Sequence, residues 1–240
     1  MDCGQTLACG QSSALMVRAV LFDFDYTLAD SSSGIVRCIN HALTGLGLPT
    51  ASLAVAKQTI GLSLPNTLTF IIGKASAEQK ERFVQLFLEM SERIMVAETV
   101  LLPGAISAVT QLRNRGLSLG VVSTKYRRRI EAVLERENLH DAFEVLIGGD
   151  DVSQLKPAPE GLLLAASRLG LDRAQCLYVG DSPTDAEAAC RAGMPFVATL
   201  SGVTLPETLA SYQPLALIPN VGTLSAWLDQ QSDQDIILRS

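Results

Sequence analysis

The sequence has few residues of the kinds that build disulfide frameworks or metal-thiolate sites. It contains five cysteines, Cys3, Cys9, Cys38, Cys176 and Cys190. Their spacing matches no metal-ligand motif, and an odd number cannot form a closed set of disulfide pairs. The only two histidines, His41 and His140, are isolated, and neither indicates a metal ligand. We therefore expect a protein of a reducing, cytoplasmic compartment.

Positive charge is also scarce. Lys and Arg number 19 against 25 Asp and Glu, and the net charge is −6. No basic run follows the pattern needed to bind a phosphate backbone, so nucleic acid is not expected as a partner. The one basic cluster, Arg127, Arg128 and Arg129, is interpreted as the solvated face of a helix.

Long apolar runs are absent as well. No stretch approaches the length of about 20 apolar residues that a membrane-spanning helix requires, so no membrane association is expected. Residues 1–15 lack the basic start and apolar core of a signal peptide. This segment is rich in Gly, Ser and Gln without periodicity, and we predict that it is a disordered leader.

The remaining chain is 48% apolar, which is enough for a substantial core. After residue 101, short apolar strands alternate with amphipathic helices, an order that predicts a parallel sheet covered on both faces. With one earlier strand at 17–22, the predicted strands are 117–122, 144–147, 176–179 and 196–198. The predicted helices are 105–115, 130–138, 159–169 and 184–192. The fold class expected is α/β, with a Rossmann-like core domain formed by residues 16–29 and 101–240.

Residues 30–100 differ, because they contain helical patterns and no convincing strand. The predicted helices cover 35–46, 53–59, 64–72 and 77–97, separated by glycines and Pro49. We interpret this segment as an inserted all-helical domain, called the cap below. Ligands of such sheets bind at the carboxyl ends of the strands. An insertion that leaves the chain there is expected to cover the site.

The most informative segment follows the first strand and reads DFDYT. Asp23, Asp25 and Thr27 alternate, and alternate side chains of an extended chain point to the same side. Two carboxylates held that close repel each other and raise each other's pKa unless a positive charge lies between them. A hard divalent cation is the usual partner of such a pair.

Three further polar groups follow later strands of the predicted sheet. The second strand is followed by Ser123-Thr124-Lys125, the third by Lys156-Pro157 and the fourth by Gly180-Asp181-Ser182-Pro183-Thr184-Asp185. Because parallel strands end at the same edge of the sheet, these groups should converge with the two aspartates. Carboxylates, a hydroxyl and a lysine together predict a metal-assisted anion site.

At these residues the chain resembles the haloacid dehalogenase superfamily, and within it the phosphatases with a helical cap of the phosphoglycolate phosphatase type. The pattern of that group is DxDxT, a strand-terminal Ser or Thr, a Lys before Pro, and GDxxxD. All four motifs occur here in order, and the resemblance covers residues 17–227. A lone DxDxT would be weak support, whereas four ordered motifs on alternating strands are a specific signal.

The resemblance implies catalytic roles for two aspartates. Asp23 would attack phosphorus and form an aspartyl phosphate. Asp25 would protonate the leaving oxygen and then activate the hydrolytic water. It also implies a Mg²⁺ ion bound by the carboxylates of Asp23 and Asp181 and by the backbone carbonyl of Asp25.

The resemblance implies binding roles for the remaining motif residues. Ser123 and Lys156 would hold the transferred phosphoryl group with Thr124 beside them, and Asp185 would orient Lys156 or a metal-bound water. In the cap, Lys57 and Gly61 are candidates for substrate contact. The departure from the family pattern is Tyr26, which stands where a glycine is usual between the second aspartate and the threonine.

Several functions share these motifs. The dehalogenases of the superfamily lack the second aspartate, so Asp25 favours phosphoryl transfer, and Lys57 fits poorly as the Schiff-base lysine of a phosphonate hydrolase. A β-phosphoglucomutase-like sugar-phosphate mutase remains the alternative enzyme, and a phosphate-binding regulatory module the alternative outside enzymology. The expected function is Mg²⁺-dependent hydrolysis of a small phosphorylated metabolite, with phosphoglycolate, a nucleotide, a sugar phosphate and pyrophosphate all open.

Overall fold

The computed structural model describes residues 16–231, so the predicted leader at 1–15 and the last nine residues lie outside the described part. Eight strands occur in the described chain. In chain order they are β1 (Ala19–Phe22), β2 (Ala29–Asp30), β3 (Val100–Leu101), β4 (Ser118–Val122), β5 (Val145–Ile147), β6 (Cys176–Gly180), β7 (Phe196–Thr199) and β8 (Ala216–Ile218).

Ten α-helices connect or flank these strands in the described chain. They are α1 (Ser32–Gly45), α2 (Leu53–Lys57), α3 (Leu64–Ile72), α4 (Ala77–Glu98), α5 (Ala105–Asn114), α6 (Arg127–Arg136), α7 (Glu160–Leu169), α8 (Pro183–Ala192), α9 (Pro206–Ala210) and α10 (Leu224–Gln231). Short 3₁₀ turns cover His140–Ala142, Arg173–Gln175 and Val221–Thr223.

Six strands form one parallel sheet in the order β5-β4-β1-β6-β7-β8. This confirms the predicted α/β class. Strand β1 lies at the position where the order reverses, with β4 on one side and β6 on the other. In open α/β sheets the crevice at such a reversal is the usual ligand site. The topology therefore brings the ends of β1, β4 and β6 together.

The sheet is buried on both faces. The side chain of Phe22 points into one apolar layer and that of Leu21 into the other, as alternation along a strand requires. Helices α5, α6 and α10 contribute to the first layer, and α7 and α8 to the second. These two layers hold the strand ends in fixed positions, so side chains that follow the strands have little freedom to move.

The cap has an apolar core of its own. Helices α1 to α4 bury Ile39, Leu43, Leu68, Phe83 and Phe87 against one another. The predicted helix at 64–72 matches α3, and the other three cap helices differ from their predicted ends by three residues at most. The helical reading of this segment is therefore confirmed.

Two short strands at the borders of the cap were not predicted. Strands β2 and β3 pair antiparallel, with Ala29 opposite Leu101 and Asp30 opposite Val100. Just inside the cap, the hydroxyls of Ser31 and Thr99 hydrogen-bond at 2.9 Å. Two-residue strands carry no periodicity that a sequence could show, because the pairing depends on bringing together segments about 70 residues apart.

The interpretation of Arg127 to Arg129 as a solvated face is wrong for Arg129. This side chain is only 8% exposed and contacts the Glu92 carboxylate of the cap at 2.5 Å. Arg128 binds the same carboxylate through two hydrogen bonds. The cluster thus joins α6 of the core domain to α4 of the cap.

Within residues 16–231, no helix combines the length and the apolar composition that a membrane crossing would require.

Candidate active site

The first predicted site residue lies at the carboxyl end of β1. The backbone N–H of Asp23 donates to the Val179 carbonyl at 2.9 Å, so the chain is still paired with β6 at this point. Its side chain is 8% exposed. Strand pairing thus delivers the carboxylate into the crevice between the ends of β1 and β6.

Lys156 brings the later motifs to Asp23. Its ammonium lies 2.8 Å from Asp23 Oδ1 and 2.5 Å from Asp185 Oδ1. The Lys156–Pro157 peptide that precedes α7 is cis. One lysine therefore bridges two carboxylates that are more than 150 residues apart in the chain.

Both oxygens of Asp185 are already occupied. Oδ1 accepts hydrogen bonds from Lys156 and from the Tyr178 hydroxyl. Oδ2 accepts from the hydroxyl of Ser182 at 2.5 Å and from its backbone N–H at 3.1 Å, in a reciprocal box that also caps α8. Asp185 packs against Gly180, where any side chain would overlap its carboxylate. Its position is set by the helix start.

Tyr178 is a member of this cluster that the sequence analysis missed. Its hydroxyl contacts Lys156 at 2.9 Å, Asp185 Oδ1 at 2.9 Å and the Val122 carbonyl at 3.1 Å. A tyrosine in the middle of a strand buried on both faces needs a partner for its hydroxyl. The need for such a partner, at a position two residues before Gly180, could have identified Tyr178 from the sequence.

The cluster has an excess of buried negative charge. Asp23, Asp181 and Asp185 offer oxygens that all lie within 4.8 Å of one another. Lys156 is the only cation that forms an ion pair with any of them in the described chain, which leaves a formal charge of −2 when all three carboxylates are ionised. Among residues 16–231, Asp181 forms no ion pair at all.

The pKa values of these groups reflect that imbalance. Burial raises the pKa of Asp23 to about 6, although Lys156 opposes this rise. Burial, and then the charges of Asp185 and Asp23, raise the pKa of Asp181 well above its ordinary value. Burial alone would lower the pKa of Lys156, but the Asp185 and Asp23 carboxylates hold it above its usual range. The three carboxylates therefore share one neighbouring cation, the Lys156 ammonium.

The donor set fits a hard divalent cation. Asp23 Oδ1 is buried and lies 2.8 Å from the Lys156 ammonium, and no other partner of this oxygen occurs among the described residues. Because Asp185 is saturated, the Asp23 and Asp181 carboxylates are the oxygens left to bind a cation. Gly202 packs directly on Asp181, where a side chain would overlap Oδ2.

Asp25 occupies a different environment from Asp23. Both of its carboxylate oxygens lie 3.0 Å from the Lys125 ammonium. Lys125 also donates to the Ser31 hydroxyl at the base of the cap. Sequence reasoning noted Lys125 only as part of a motif and assigned it no role. A lysine three residues after a mostly buried strand was the signal for a buried partner.

The remaining core residues of the site lie around this pair. Ser123 is buried at the end of β4, and its N–H donates to the Ile147 carbonyl of β5. Thr124 lines the cavity between the two domains. Thr27 is fully buried, and its hydroxyl has no hydrogen-bond partner in the described structure.

A cavity of about 270 Å³ separates the cap from the core domain. Asp25, Thr124 and Lys125 form part of its wall on the core side, and Gly61 contributes on the cap side. Lys57 is partly buried at the end of α2 and is not among the residues that line this cavity. The structure thus brings Gly61 to the site but not Lys57.

Comparison with known proteins identifies relatives along most of the chain. The family model of the haloacid dehalogenase-like hydrolases matches residues 20–199. Phosphoglycolate phosphatase of Xanthomonas campestris pv. campestris (strain 8004) is 34% identical over 214 residues, which are 88% of this chain and 97% of that protein. Phosphoglycolate phosphatase of Salmonella typhimurium is 36% identical over 219 residues, 82% of this chain and 87% of that protein.

Solved structures agree with this assignment. A haloacid dehalogenase-like hydrolase from Bacteroides fragilis superposes with a TM-score of 0.84 at 39% identity, covering 87% of this chain and 99% of that one. A hydrolase from Pseudomonas syringae superposes with a TM-score of 0.75 at 26% identity, covering 89% and 98%.

Proposed function

Because the chain belongs to the haloacid dehalogenase-like hydrolase family and is a phosphatase, we propose that it hydrolyses a small phosphomonoester with Mg²⁺ through an aspartyl phosphate on Asp23. The observation that carries the proposal is the buried cluster of Asp23, Asp181, Asp185 and Lys156, whose net charge of about −2 matches one divalent cation. A divalent cation bound there would also stabilise the charge on the oxygens of a transferred phosphoryl group.

Asp23 is the proposed nucleophile because its carboxylate is buried beside the Lys156 ammonium, whose charge opposes protonation of that carboxylate. Burial raises the pKa of Asp23 in the protein without cation, and a positive charge at the site keeps the carboxylate ionised for attack. The Asp23 carboxylate transfers no proton while it attacks phosphorus.

The carboxylates of Asp23 and Asp181 and the backbone carbonyl of Asp25 would hold the cation. When bound, Mg²⁺ supplies screening between the anionic nucleophile and the phosphate, and stabilises the charge that develops during transfer. Asp185 is a positioning residue in this proposal, because its oxygens hold Lys156, Tyr178 and the start of α8.

Asp25 is the proposed acid and base. It lies in the wall of the cavity between the cap and the core domain. Lys125 fixes the orientation of its carboxylate through two contacts. From this position it protonates the leaving alcohol and then removes a proton from the water that attacks the aspartyl phosphate.

The phosphoryl oxygens would be held by the Lys156 ammonium and the Ser123 hydroxyl, with Thr124 beside them. Lys156 is held by Asp23, Asp185 and Tyr178, so it is oriented before substrate arrives. A donor that needs no reorientation stabilises a developing charge at the lowest cost. The substrate is small, since the cavity next to Asp25 has a volume of about 270 Å³.

The two aspartates have separable roles, and p-nitrophenyl phosphate distinguishes them. Its phenolate leaves without a proton, so Asp25→Asn should still form the aspartyl phosphate but hydrolyse it slowly. We expect a burst of about one equivalent of nitrophenolate per Asp25→Asn enzyme in rapid mixing with Mg²⁺, followed by turnover reduced at least about 100-fold. Asp23→Asn should show neither burst nor turnover.

Equal activity of wild type and Asp23→Asn would contradict an aspartyl phosphate on this residue. The absence of a burst in Asp25→Asn would contradict the division of roles between the two aspartates. A mutase would release phosphate slowly and exchange isomers of a sugar phosphate rapidly, and wild-type enzyme supplied with a sugar phosphate reports both signals.

A further inference from the structure

One cation in the wall of the cavity between cap and core has donors that the protein does not use. Arg129 lines this cavity and is only 7% exposed. Within the described chain its one ion pair is with Glu92, which Nη2 contacts at 2.5 Å. Its Nε is buried and has no hydrogen-bond partner among the described residues. Because buried donors are nearly always paired in folded proteins, this guanidinium indicates an acceptor supplied by a ligand.

The charge of Arg129 is only partly neutralised. Its partner Glu92 also binds Arg128, so two guanidinium groups share one carboxylate and leave a formal charge of +1. The side chains of Arg128 and Glu92 are 58% and 42% exposed, and water screens their charges. Arg129 is the member of this group that is buried and lines the cavity. An anion in the cavity would therefore find a positive charge that is not fully paired.

On the cap side, the start of helix α3 contributes to the same cavity. Ser63 is the N-cap residue of α3 and lines the cavity together with Leu64 and Thr67. The Ser63 hydroxyl accepts no capping hydrogen bond, and the first N–H groups of a helix have no acceptor within the helix. Such a helix start carries a partial positive charge and favours oxyanions. The two domains therefore offer hydrogen-bond donors to the same cavity.

This cavity adjoins the proposed acid and not the proposed phosphate-binding groups. Asp25 lines it, whereas Asp23, Ser123 and Lys156 do not. Within the described chain Asp25 is the only acidic residue of the cavity wall, and Lys125 pairs with it. A group bonded to the oxygen that Asp25 protonates begins beside Asp25. The cavity is therefore suited to the part of a leaving group that extends away from the phosphate.

We infer that Arg129 and the start of α3 bind an oxyanion on the leaving group, and that Arg129 determines specificity for substrates with such a group. The substrate is then a phosphomonoester with a second anionic group, either a carboxylate or another phosphate. A guanidinium binds both through its planar set of N–H donors. This inference rests on the proposed function, because it assigns the leaving group to the cavity beside Asp25.

Three esters test this selection through initial rates of phosphate release with Mg²⁺. The second oxyanion is a carboxylate in 2-phosphoglycolate and a phosphate in propane-1,3-diol bisphosphate. Isobutyl phosphate has the branched skeleton of 2-phosphoglycolate, but two methyl groups replace the two carboxylate oxygens. We expect kcat/KM for at least one anionic ester to exceed that for isobutyl phosphate at least about 10-fold, and the better of the two identifies the oxyanion. The absence of such a preference for both anionic esters overturns the inference.

Two neighbouring arginines provide the matched variants. Arg128 and Arg129 bind the same carboxylate of Glu92, but only Arg129 lines the cavity. Arg129→Met should lower the preference for the better anionic ester over isobutyl phosphate at least about 10-fold, mainly through a higher KM for the anionic ester. Arg128→Met also removes a contact with Glu92 and should change this ratio less than about 3-fold. Arg129→Gln, which can still donate to Glu92, repeats the test should Arg129→Met not fold.

The outcomes separate this inference from the proposed function. Release of phosphate from p-nitrophenyl phosphate without a preference for either anionic ester overturns only the oxyanion site. No release from p-nitrophenyl phosphate or from any of the three esters overturns the proposed function itself. A ratio that is unchanged in the folded Arg129 variant, or that falls equally in Arg128→Met, overturns the assignment of specificity to Arg129.

Discussion

At the scale of single residues, Tyr26 shows how the local backbone departs from what its side chain prefers. It adopts a φ of 62°, in the left-handed region where a glycine is comfortable and an L side chain is strained. The backbone is held there by the Tyr26 N–H bond to the Ala29 carbonyl at 2.7 Å and by the Ser201 hydroxyl, which donates to the Tyr26 carbonyl at 2.5 Å. A glycine, which is usual at this position in the family, adopts such a positive φ without strain.

The ring explains why a tyrosine is tolerated. It is 6% exposed and its burial offsets the strain of the loop. Replacement by glycine should relieve about 1–2 kcal/mol of strain but lose about 3–5 kcal/mol of packing, so Tyr26→Gly should lower the free energy of unfolding by about 1–4 kcal/mol. Urea denaturation measures this change.

Tyr26→Ala is the matched control, because it removes the same ring but keeps a Cβ at positive φ. We expect it to be about 1 kcal/mol less stable than Tyr26→Gly. Equal stabilities of the two variants would show that the loop stores no strain at this residue.

At the scale of elements, helices α4 and α6 form a polar contact between cap and core domain. Glu92 accepts hydrogen bonds from Arg128 and Arg129, and the bond from Arg128 holds the pKa of Glu92 below its usual range. Near the same seam, Arg136 donates to the carbonyls of Val96 and Thr99 at the end of α4. These contacts hold the cap over the cavity in the described arrangement.

Removal of Glu92 should weaken this contact. Arg129 is almost fully buried, so Glu92→Ala leaves a buried guanidinium without its carboxylate. Since Glu92 itself is 42% exposed, we expect a loss of about 1–2 kcal/mol rather than the 3–5 kcal/mol of a fully buried pair. Denaturant unfolding provides the measurement.

Glu89→Ala on the same helix is the control. Its pair with Arg93 is exposed at both ends, and such pairs contribute about 0.5 kcal/mol or less. The assignment of the contact fails should Glu89→Ala prove as destabilising as Glu92→Ala.

The helices and strands differ in how well the sequence predicts them. The strand at 117–122 and the helix at 64–72 are long enough to show a period, and the structure has β4 and α3 there. Strands β2, β3 and β8 and helix α9, of two to five residues each, were not predicted, whereas the equally short β5 was predicted from its place in the alternation of strands and helices. The pairing of β2 with β3 depends on segments about 70 residues apart in the chain.

At the scale of the whole molecule, the site combines charges from both ends of the core domain. Asp23 lies at the start of the described chain, and Lys156, Asp181 and Asp185 lie more than 130 residues later. The fold buries them together with an excess of negative charge. Stability without a cation should therefore depend on pH.

Asp23 has a pKa of about 6 in the folded protein without cation, above the value of about 3.9 expected in the unfolded chain. Between these two values the folded state binds more protons, so this group's contribution to stability is lost as the pH rises through the folded pKa. The raised pKa of Asp181 acts in the same direction. Mg²⁺ competes with those protons, and its stabilising effect should therefore increase with pH.

Thermal unfolding with EDTA and with Mg²⁺, at pH 5 and pH 7, tests this expectation. The increase in Tm caused by Mg²⁺ should be larger at pH 7 than at pH 5 in wild type and should be strongly reduced at both pH values in Asp181→Asn. A Mg²⁺ increment that is equal at pH 5 and pH 7 in wild type would contradict the role of buried carboxylates.

The fold class, the helical insertion and the set of motif residues follow from the amino-acid sequence, because strand and helix periods and ordered motifs are local properties. The pairing of lysines with aspartates follows from the fold: Lys125 faces Asp25, whereas Lys156 faces Asp23 and Asp185. The same holds for the position of Lys57 away from the cavity and for the burial of Arg129 against the cap. Those outcomes depend on the packing of segments distant in the chain, where burial and pairing of charge are settled jointly and no single segment carries the information.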